Sequence, residues 1–92
     1  MNPPDREAIL SEFRKISGVG PATAEDLWSL GFRSAEELKG QDPEAMFQAL
    51  CSLAGGQVDR CMLYVFRCAV YFVTEQEHEP ELLKWWSWKD KD

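Results

Sequence analysis

The segment of residues 16–21, Ile-Ser-Gly-Val-Gly-Pro, constrains the fold of this chain most, because apolar helical patterns run into it and out of it. Gly18 and Gly20 tolerate backbone angles that a residue with a Cβ adopts only at a cost. Pro21 suits the first position of a helix, where its missing N–H would have no partner. Gly31 suits the position after that helix, where a residue with left-handed backbone angles commonly ends it. The segment therefore predicts a tight turn between two helices.

The amides of such a turn converge with the N-terminus of the second helix on one place. Unpaired N–H groups and the positive end of the helix dipole both attract an anion. The turn is therefore a candidate site for a phosphate oxygen.

Apolar residues recur at helical spacing on both sides of the turn. We predict the first helix from about Pro4 and the second from Pro21. The apolar positions are Ile9, Leu10, Phe13 and Ile16 in the first helix, and Ala24, Leu27, Trp28 and Leu30 in the second.

Two further helices carry recognisable start signals. Ser34 and Glu37 form a capping box that opens a short helix, which Gly40 closes. Asp42 followed by Pro43 combines an N-cap with a first-turn proline and opens the next helix.

Gly55-Gly56 breaks the chain before the longest predicted helix, residues 57–74. Residues 53–57 lie between two helices as the first turn does, so we interpret them as a degenerate second hairpin. The fold class predicted is all-α: a compact tandem helix-hairpin-helix (SAM-like) domain of about five helices plus a short C-terminal helix. Ninety-two residues suffice for one modest core, so the whole of residues 1–92 is predicted to be a single domain.

The long helix carries one polar stripe on an otherwise apolar surface. At 100° per residue, Tyr64, Arg67, Tyr71 and Thr74 fall within about 40° of Arg60. One interpretation is the exposed seam of a central core helix. The other is a cationic and aromatic strip that stacks bases or binds an acidic partner, with Arg60, Tyr64 and Arg67 as its residues.

The C-terminal residues 80–90 contain three tryptophans within four positions, Trp85, Trp86 and Trp88. Burying one of these rings is worth several kcal/mol at about 25 cal/mol per Å². One interpretation is that Leu82, Leu83, Trp85 and Trp86 fold back over the core. The alternative is an exposed aromatic anchor for another protein or for a second copy of this chain, which makes all three tryptophans candidate partner-binding residues.

The charge balance bears on the class of partner. Sixteen acidic residues against ten basic ones give a net charge of −6, whereas a nucleic-acid-binding domain is expected to be basic. The longest apolar tract, residues 61–73, is shorter than the roughly 20 residues that span a bilayer, so we expect no membrane association. No signal peptide is expected either. Three cysteines without a CxxC pair predict reduced thiols in a cytoplasmic protein.

Residues suited to catalysis or metal binding are few. His78 lies in an acidic linker and is expected to be exposed and without a partner. Cys61 and Cys68, with Cys51 or His78, carry atoms of the kind that ligate zinc, but their spacing matches no zinc motif. We therefore interpret the cysteines as inert thiols. We therefore predict no enzymatic activity, no cofactor, no metal and no small-molecule substrate.

Three stretches of the chain resemble a known family. They are Gly-Val-Gly-Pro-Ala at residues 18–22 with Leu30-Gly31-Phe32-Arg33-Ser34 and Glu37-Leu38 after it, residues 59–72, and residues 81–90. Together they resemble the small bacterial "pathogenicity locus" family of helix-hairpin-helix proteins, some of which are labelled mitomycin-resistance proteins. The resemblance covers nearly the whole chain and implies the helix-hairpin-helix fold.

Helix-hairpin-helix motifs at large bind DNA without reading its sequence, through hairpin amides to phosphate. The resemblance thus implies that Gly18, Val19 and Gly20 are amide donors, with Thr23 behind them. Ala22 and Thr23 occupy the place where DNA-binding versions often carry a lysine or arginine. The nearby basic residues are Arg14, Lys15 and Arg33.

Two functions follow from these observations. The first is a non-catalytic module that binds nucleic acid weakly and independently of sequence through the hairpin amides. The alternative is a protein–protein interaction adaptor that keeps the fold without binding DNA, with another protein or a homodimer partner as its target. The acidic charge, the absence of a cation after the hairpin and the tryptophan-rich end favour the alternative.

Overall fold

The computed structural model describes residues 5–89, and all regular secondary structure within this range is helical. The all-α prediction is confirmed. The predicted helix start at Pro4 and the last predicted residue of the tryptophan-rich segment, Asp90, lie outside the described residues. The four α-helices are α1 (Arg6–Arg14), α2 (Pro21–Ser29), α3 (Pro43–Ala54) and α4 (Cys61–Thr74), and the three 3₁₀-helices are Ala35–Leu38, Pro80–Leu83 and Trp85–Trp88.

Local capping explains where several helices begin. The Asp42 carboxylate accepts a hydrogen bond from the Glu44 amide at 3.0 Å, and Pro43 is the first residue of α3, as predicted. The predicted capping box is also present, with Ser34 and Glu37 satisfying each other's backbone amides. These side chains supply acceptors for N–H groups that a helix leaves unpaired at its start.

The longest helix begins four residues later than predicted. Gly55 ends α3 with a φ of 72°, but residues 57–60 are not helical, and α4 starts at Cys61. The Asp59 carboxylate accepts a hydrogen bond from the Cys61 amide at 2.9 Å. This bond also lowers the pKa of Asp59, so the carboxylate that caps the helix stays charged. Asp59 therefore supports a helix start at Cys61, beyond the position that the two glycines suggest.

The C-terminal region differs from the predicted short helix. It consists of the two consecutive 3₁₀-helices, which we call the C-terminal segment (residues 80–88). This segment packs mainly against α4.

Helix α4 lies at the centre of the core. Leu63, Phe66 and Ala69 are fully buried on it and pack in one cluster with Phe13 of α1 and Leu27 of α2. The fully buried ring of Phe66 therefore joins the two halves of the chain, because α1 and α2 belong to the N-terminal half and α3 and α4 to the C-terminal half.

Replacing Phe66 with alanine tests the central position of α4. We expect Phe66→Ala to lower the free energy of unfolding by about 3–5 kcal/mol, because it removes a fully buried ring and leaves a cavity. Leu53→Ala is the control, since Leu53 is 60% exposed. Urea denaturation followed by circular dichroism measures both. A loss below about 1 kcal/mol for Phe66→Ala would contradict the placement of α4 in the core.

Candidate functional site

The turn between α1 and α2 adopts the glycine-dependent geometry that the sequence predicts. Gly18 has a φ of 86°, in the left-handed region, while Gly20 has an ordinary φ of −96°. The Val19 side chain is buried, and its amide donates a hydrogen bond to the Ile16 carbonyl at 3.1 Å. Val19 was expected to be a free amide donor, and this expectation is wrong because its N–H closes the turn from within.

Unpaired amides remain on both sides of Val19. Among the described residues, neither the Gly18 amide nor the Gly20 amide has a hydrogen-bond acceptor, and both glycines are exposed. The first hydrogen bond of α2 runs from the Ala24 amide to the Gly20 carbonyl, so the amides of Ala22 and Thr23 lack a partner within the helix. The Thr23 side chain itself is buried.

The N-terminus of α2 is also electrostatically open. Its N-cap is Gly20, which has no side chain to accept a hydrogen bond, and its first turn contains no acidic residue. In contrast, the N-cap residues of α1 and α3 are Asp5 and Asp42, and their carboxylates accept hydrogen bonds from amides of the first turn. The positive end of the α2 dipole is therefore left for an external anion.

The three candidate cations do not converge on this turn. Arg14 shares with Pro21 a shallow groove of about 250 Å³ between α1 and α2. Lys15 lines a different depression with Glu12 and Glu36. Arg14 and Lys15 are both exposed, but as neighbours on a helix they point about 100° apart.

Arg33 is engaged at the opposite end of α2. Its guanidinium lies 3.6 Å from the centre of the Trp28 ring and donates hydrogen bonds to the carbonyls of Trp28 and Phe32, at 2.8 and 2.9 Å. The nine-residue helix separates it from the turn by roughly 13 Å. Arg33 thus caps the C-terminus of α2. Of the three candidate cations, only Arg14 lies beside the N-terminus of α2.

Two acidic side chains follow on α2. Glu25 pairs with Arg6 at 3.1 Å. Burial, with the neighbouring Glu25 charge, raises the pKa of Asp26 above its usual value. Asp26 therefore gives up its negative charge more readily than an exposed aspartate as the pH falls.

The polar stripe of α4 is partly covered. Arg67 pairs with Glu44 of α3 at 3.1 Å, donates a hydrogen bond to the Trp88 carbonyl at 2.8 Å, and lies 5.7 Å from the Tyr64 ring centre. Arg67 therefore contacts both a carboxylate and an aromatic face. The Tyr71 hydroxyl accepts a hydrogen bond from the Glu79 amide. Arg60, at the other end of the stripe, is exposed.

The tryptophans divide differently from the prediction. Trp85 and Trp88 are half-buried, whereas Trp86, which folds back in one interpretation and is exposed in the other, is 52% exposed. The Trp88 indole N–H donates to the Leu82 carbonyl, and its ring lies 5.4 Å from that of Tyr71. The reason is the 3₁₀ period of three residues, which places residues 85 and 88 on one face and residue 86 on another.

His78 has partners, contrary to expectation. Its Nε2–H donates to the Phe72 carbonyl at 2.7 Å, and its ring stacks on Phe72 with centroids 4.8 Å apart. The ring centroids of His78 and Tyr71 lie 5.6 Å apart in an edge-to-face contact. His78 therefore anchors the connection between α4 and the C-terminal segment.

The three cysteines are free thiols. Burial raises the pKa of Cys68, and a hydrogen bond to Asp59 raises that of Cys61, so both thiols are held in the protonated, less reactive form. Within residues 5–89, no group of three or more histidine, cysteine, aspartate or glutamate side chains is arranged to hold a metal ion.

Sequence reasoning missed one contact at the turn. The Ser17 hydroxyl donates a hydrogen bond of 2.6 Å to the Leu83 carbonyl in the C-terminal segment. The two residues are 66 positions apart. A small polar residue beside Gly18 was the only local signal of this contact.

The fold and the turn define a small all-α structure whose second helix follows an exposed glycine, Gly20, that provides no capping side chain. A family model described as Cdd1, pathogenicity locus, matches residues 6–92. The chain therefore belongs to the pathogenicity locus family, as its resemblance indicated. No curated protein and no solved structure shows a significant match to it. No helix among the described residues is long and apolar enough to cross a membrane.

Arg67 provides a test of how the C-terminal segment is held. We expect Arg67→Met to lower the free energy of unfolding by about 1.5–3 kcal/mol, because it removes charged hydrogen bonds to Trp88 and Glu44 while keeping the apolar stem. Glu44→Gln removes only the ion pair with a half-exposed carboxylate and should cost less than about 1 kcal/mol. Urea denaturation compares the two variants. Equal losses would show that the bond to the Trp88 carbonyl contributes nothing.

Proposed function

We propose that this domain is a non-catalytic helix-hairpin-helix module that binds the phosphate backbone of nucleic acid weakly and independently of sequence. The donors in this proposal are the amides of Gly18 and Gly20 and the N-terminus of α2. The observation that carries the proposal is the start of α2 at an exposed glycine with neither a capping side chain nor an acidic residue in the first turn.

The chemistry of phosphate suits this arrangement. A phosphate oxygen accepts several hydrogen bonds and carries the negative charge that the positive end of the α2 dipole favours. Contacts of this kind position a protein on the backbone but read no bases. Arg14 is the candidate cation beside the start of α2, in a groove that it shares with Pro21 and with the carboxylates of Glu7 and Glu25.

The expected affinity is low. Arg33 is held at the far end of α2, so we count as cationic contacts only Arg14 and Lys15, which precede the turn in the chain. Two phosphate contacts give a salt slope of about −2 and a Kd no tighter than about 10⁻⁵ M near physiological salt. Such a module contributes to binding chiefly when it is linked to another binding site or assembled with further copies.

The degenerate second hairpin is not part of the proposed contact. The helix after it, α4, begins at a residue whose amide is already bound by the Asp59 carboxylate. A negatively charged cap occupies the place that a phosphate would take, so only the first turn is proposed to bind.

A protein–protein adaptor is the second candidate function. Trp86 and Leu53 are large apolar side chains that remain exposed, at 52% and 60%. Together with the net charge of −6, they favour a protein partner or a second copy over nucleic acid. The cytoplasmic location stays a prediction for either function.

Gly20→Asp tests the nucleic-acid proposal without harming the fold. Gly20 has ordinary backbone angles, and a Cβ there meets open space. An aspartate can therefore cap α2 as Asp42 caps α3, and stability should rise by about a few tenths of a kcal/mol. The same carboxylate accepts hydrogen bonds from the amides at the start of α2 and repels phosphate. Binding to a short fluorescent duplex at 50 mM salt should therefore be lost. Fluorescence anisotropy measures binding.

Gly56→Asp is the matched control. It makes the same change at another exposed glycine with ordinary angles and open space around it. Wild type and Gly56→Asp should bind with equal affinity, weakening with salt at a slope of about −2. Equal losses in the two variants would assign the effect to net charge rather than to the turn. A wild type that does not bind would refute the proposal and leave the adaptor function.

A further inference from the structure

The turn between α1 and α2 lies against the C-terminal segment. The Ser17 hydroxyl donates to the Leu83 carbonyl at 2.6 Å. The Cys68 sulfur on α4 lies 3.6 Å from both the Ser17 carbonyl and the Leu82 carbonyl, so its one S–H can donate to either chain segment. Two separate contacts therefore join residue 17 to residues 82 and 83.

Gly18 completes this contact through its backbone. A Cβ at Gly18 would lie 3.4 Å from the Cys68 sulfur and 3.5 Å from the Cβ of Trp85. A methyl group at this position would thus be in van der Waals contact with both residues. Gly18, with its left-handed φ, is exposed on one side and lies beside α4 and the C-terminal segment on the other.

The turn is fixed on its core side by the buried Ile16 and Val19 side chains, whereas Gly18 and Gly20 are exposed and have no side chains to hold them. Its internal hydrogen bonds are those of the Ile16 and Val19 amides to the carbonyls three residues earlier. Gly18 and Gly20 lose more conformational freedom on ordering than any other residue type. An external contact that restricts them therefore prepares the turn for a ligand before the ligand arrives.

We propose that Ser17, Cys68 and Trp85 are positioning residues, through which the C-terminal segment holds the Gly18–Gly20 turn in the conformation that exposes its amides. The effect on nucleic-acid binding rests on the function proposed above, whereas the coupling between segment and turn does not. Residues 80–88 thereby control the site without touching the ligand.

Ser17→Ala tests the coupling by amide hydrogen exchange measured by NMR. The reporters are the Val19 amide in the turn, the Ser87 amide in the segment and the Phe66 amide in the middle of α4. Loss of the Ser17 hydrogen bond should speed exchange at Val19 and Ser87 together by roughly five- to tenfold, because local opening governs exchange there. Phe66 should change by less than about twofold, since it reports global unfolding.

Two control variants sharpen the result. Ser17→Thr keeps the hydroxyl and should restore wild-type exchange at both reporters. Ser52→Ala makes the same substitution on the exposed surface of α3 and should change neither. Faster exchange at Ser87 with no change at Val19 would overturn the proposal, as would no change at either amide.

The DNA titration separates this inference from the proposed function. If the wild type binds the duplex, Ser17→Ala should weaken binding by roughly fivefold and Ser17→Thr should restore it. Unchanged binding by Ser17→Ala would refute the positioning role. If the wild type does not bind, the proposed function fails, and the exchange rates at Val19 and Ser87 alone decide whether the segment holds the turn.

Discussion

The close approach of Gly18 to α4 is the contact on which the rest of the structure depends. Because Gly18 has no side chain and adopts a φ of 86°, the chain reverses beside Cys68 and delivers α2 onto the core. The same reversal leaves Gly18 and Gly20 exposed and the start of α2 uncapped. Packing and the candidate anion site therefore arise from one backbone conformation.

The charge of the domain limits what this site can do. A net charge of −6 repels nucleic acid at long range, but salt at about 0.1 M screens charges more than about 10 Å apart. Contacts made by amides act at hydrogen-bond distance and are not weakened by that screening. The proposed binding is therefore a short-range contact that net charge reduces without abolishing, and it suits a module that works alongside another binder.

The parts of the fold that local sequence determines could be predicted. Caps such as Asp42 and the Ser34–Glu37 box act within four residues, and the positive φ of Gly18 follows from its place in the turn. The start of α4 was misplaced because two glycines suggested it, while the aspartate at position 59 decides it. The family was also recognised from its motifs.

Contacts between distant residues could not be predicted from such patterns. The hydrogen bond from Ser17 to the Leu83 carbonyl joins residues 66 positions apart, and no periodic pattern in the sequence predicts it. The exposure of Trp86 follows from the 3₁₀ period of residues 85–88, which the spacing of the tryptophans alone does not indicate. Of the predicted site residues, Arg33 was misjudged because its bonds to the end of α2 compete with a role at the turn.

The most direct test compares leucine at two glycines that both have a positive φ. Gly31 has a φ of 100° and open space around it, so Gly31→Leu measures backbone strain alone. Gly18→Leu adds a branched side chain whose Cβ lies 3.4 Å from the Cys68 sulfur and 3.5 Å from the Trp85 Cβ, so it should lower the free energy of unfolding by about 1–3 kcal/mol more than Gly31→Leu. Equal losses in urea denaturation would show that the turn does not lie against α4 and the C-terminal segment.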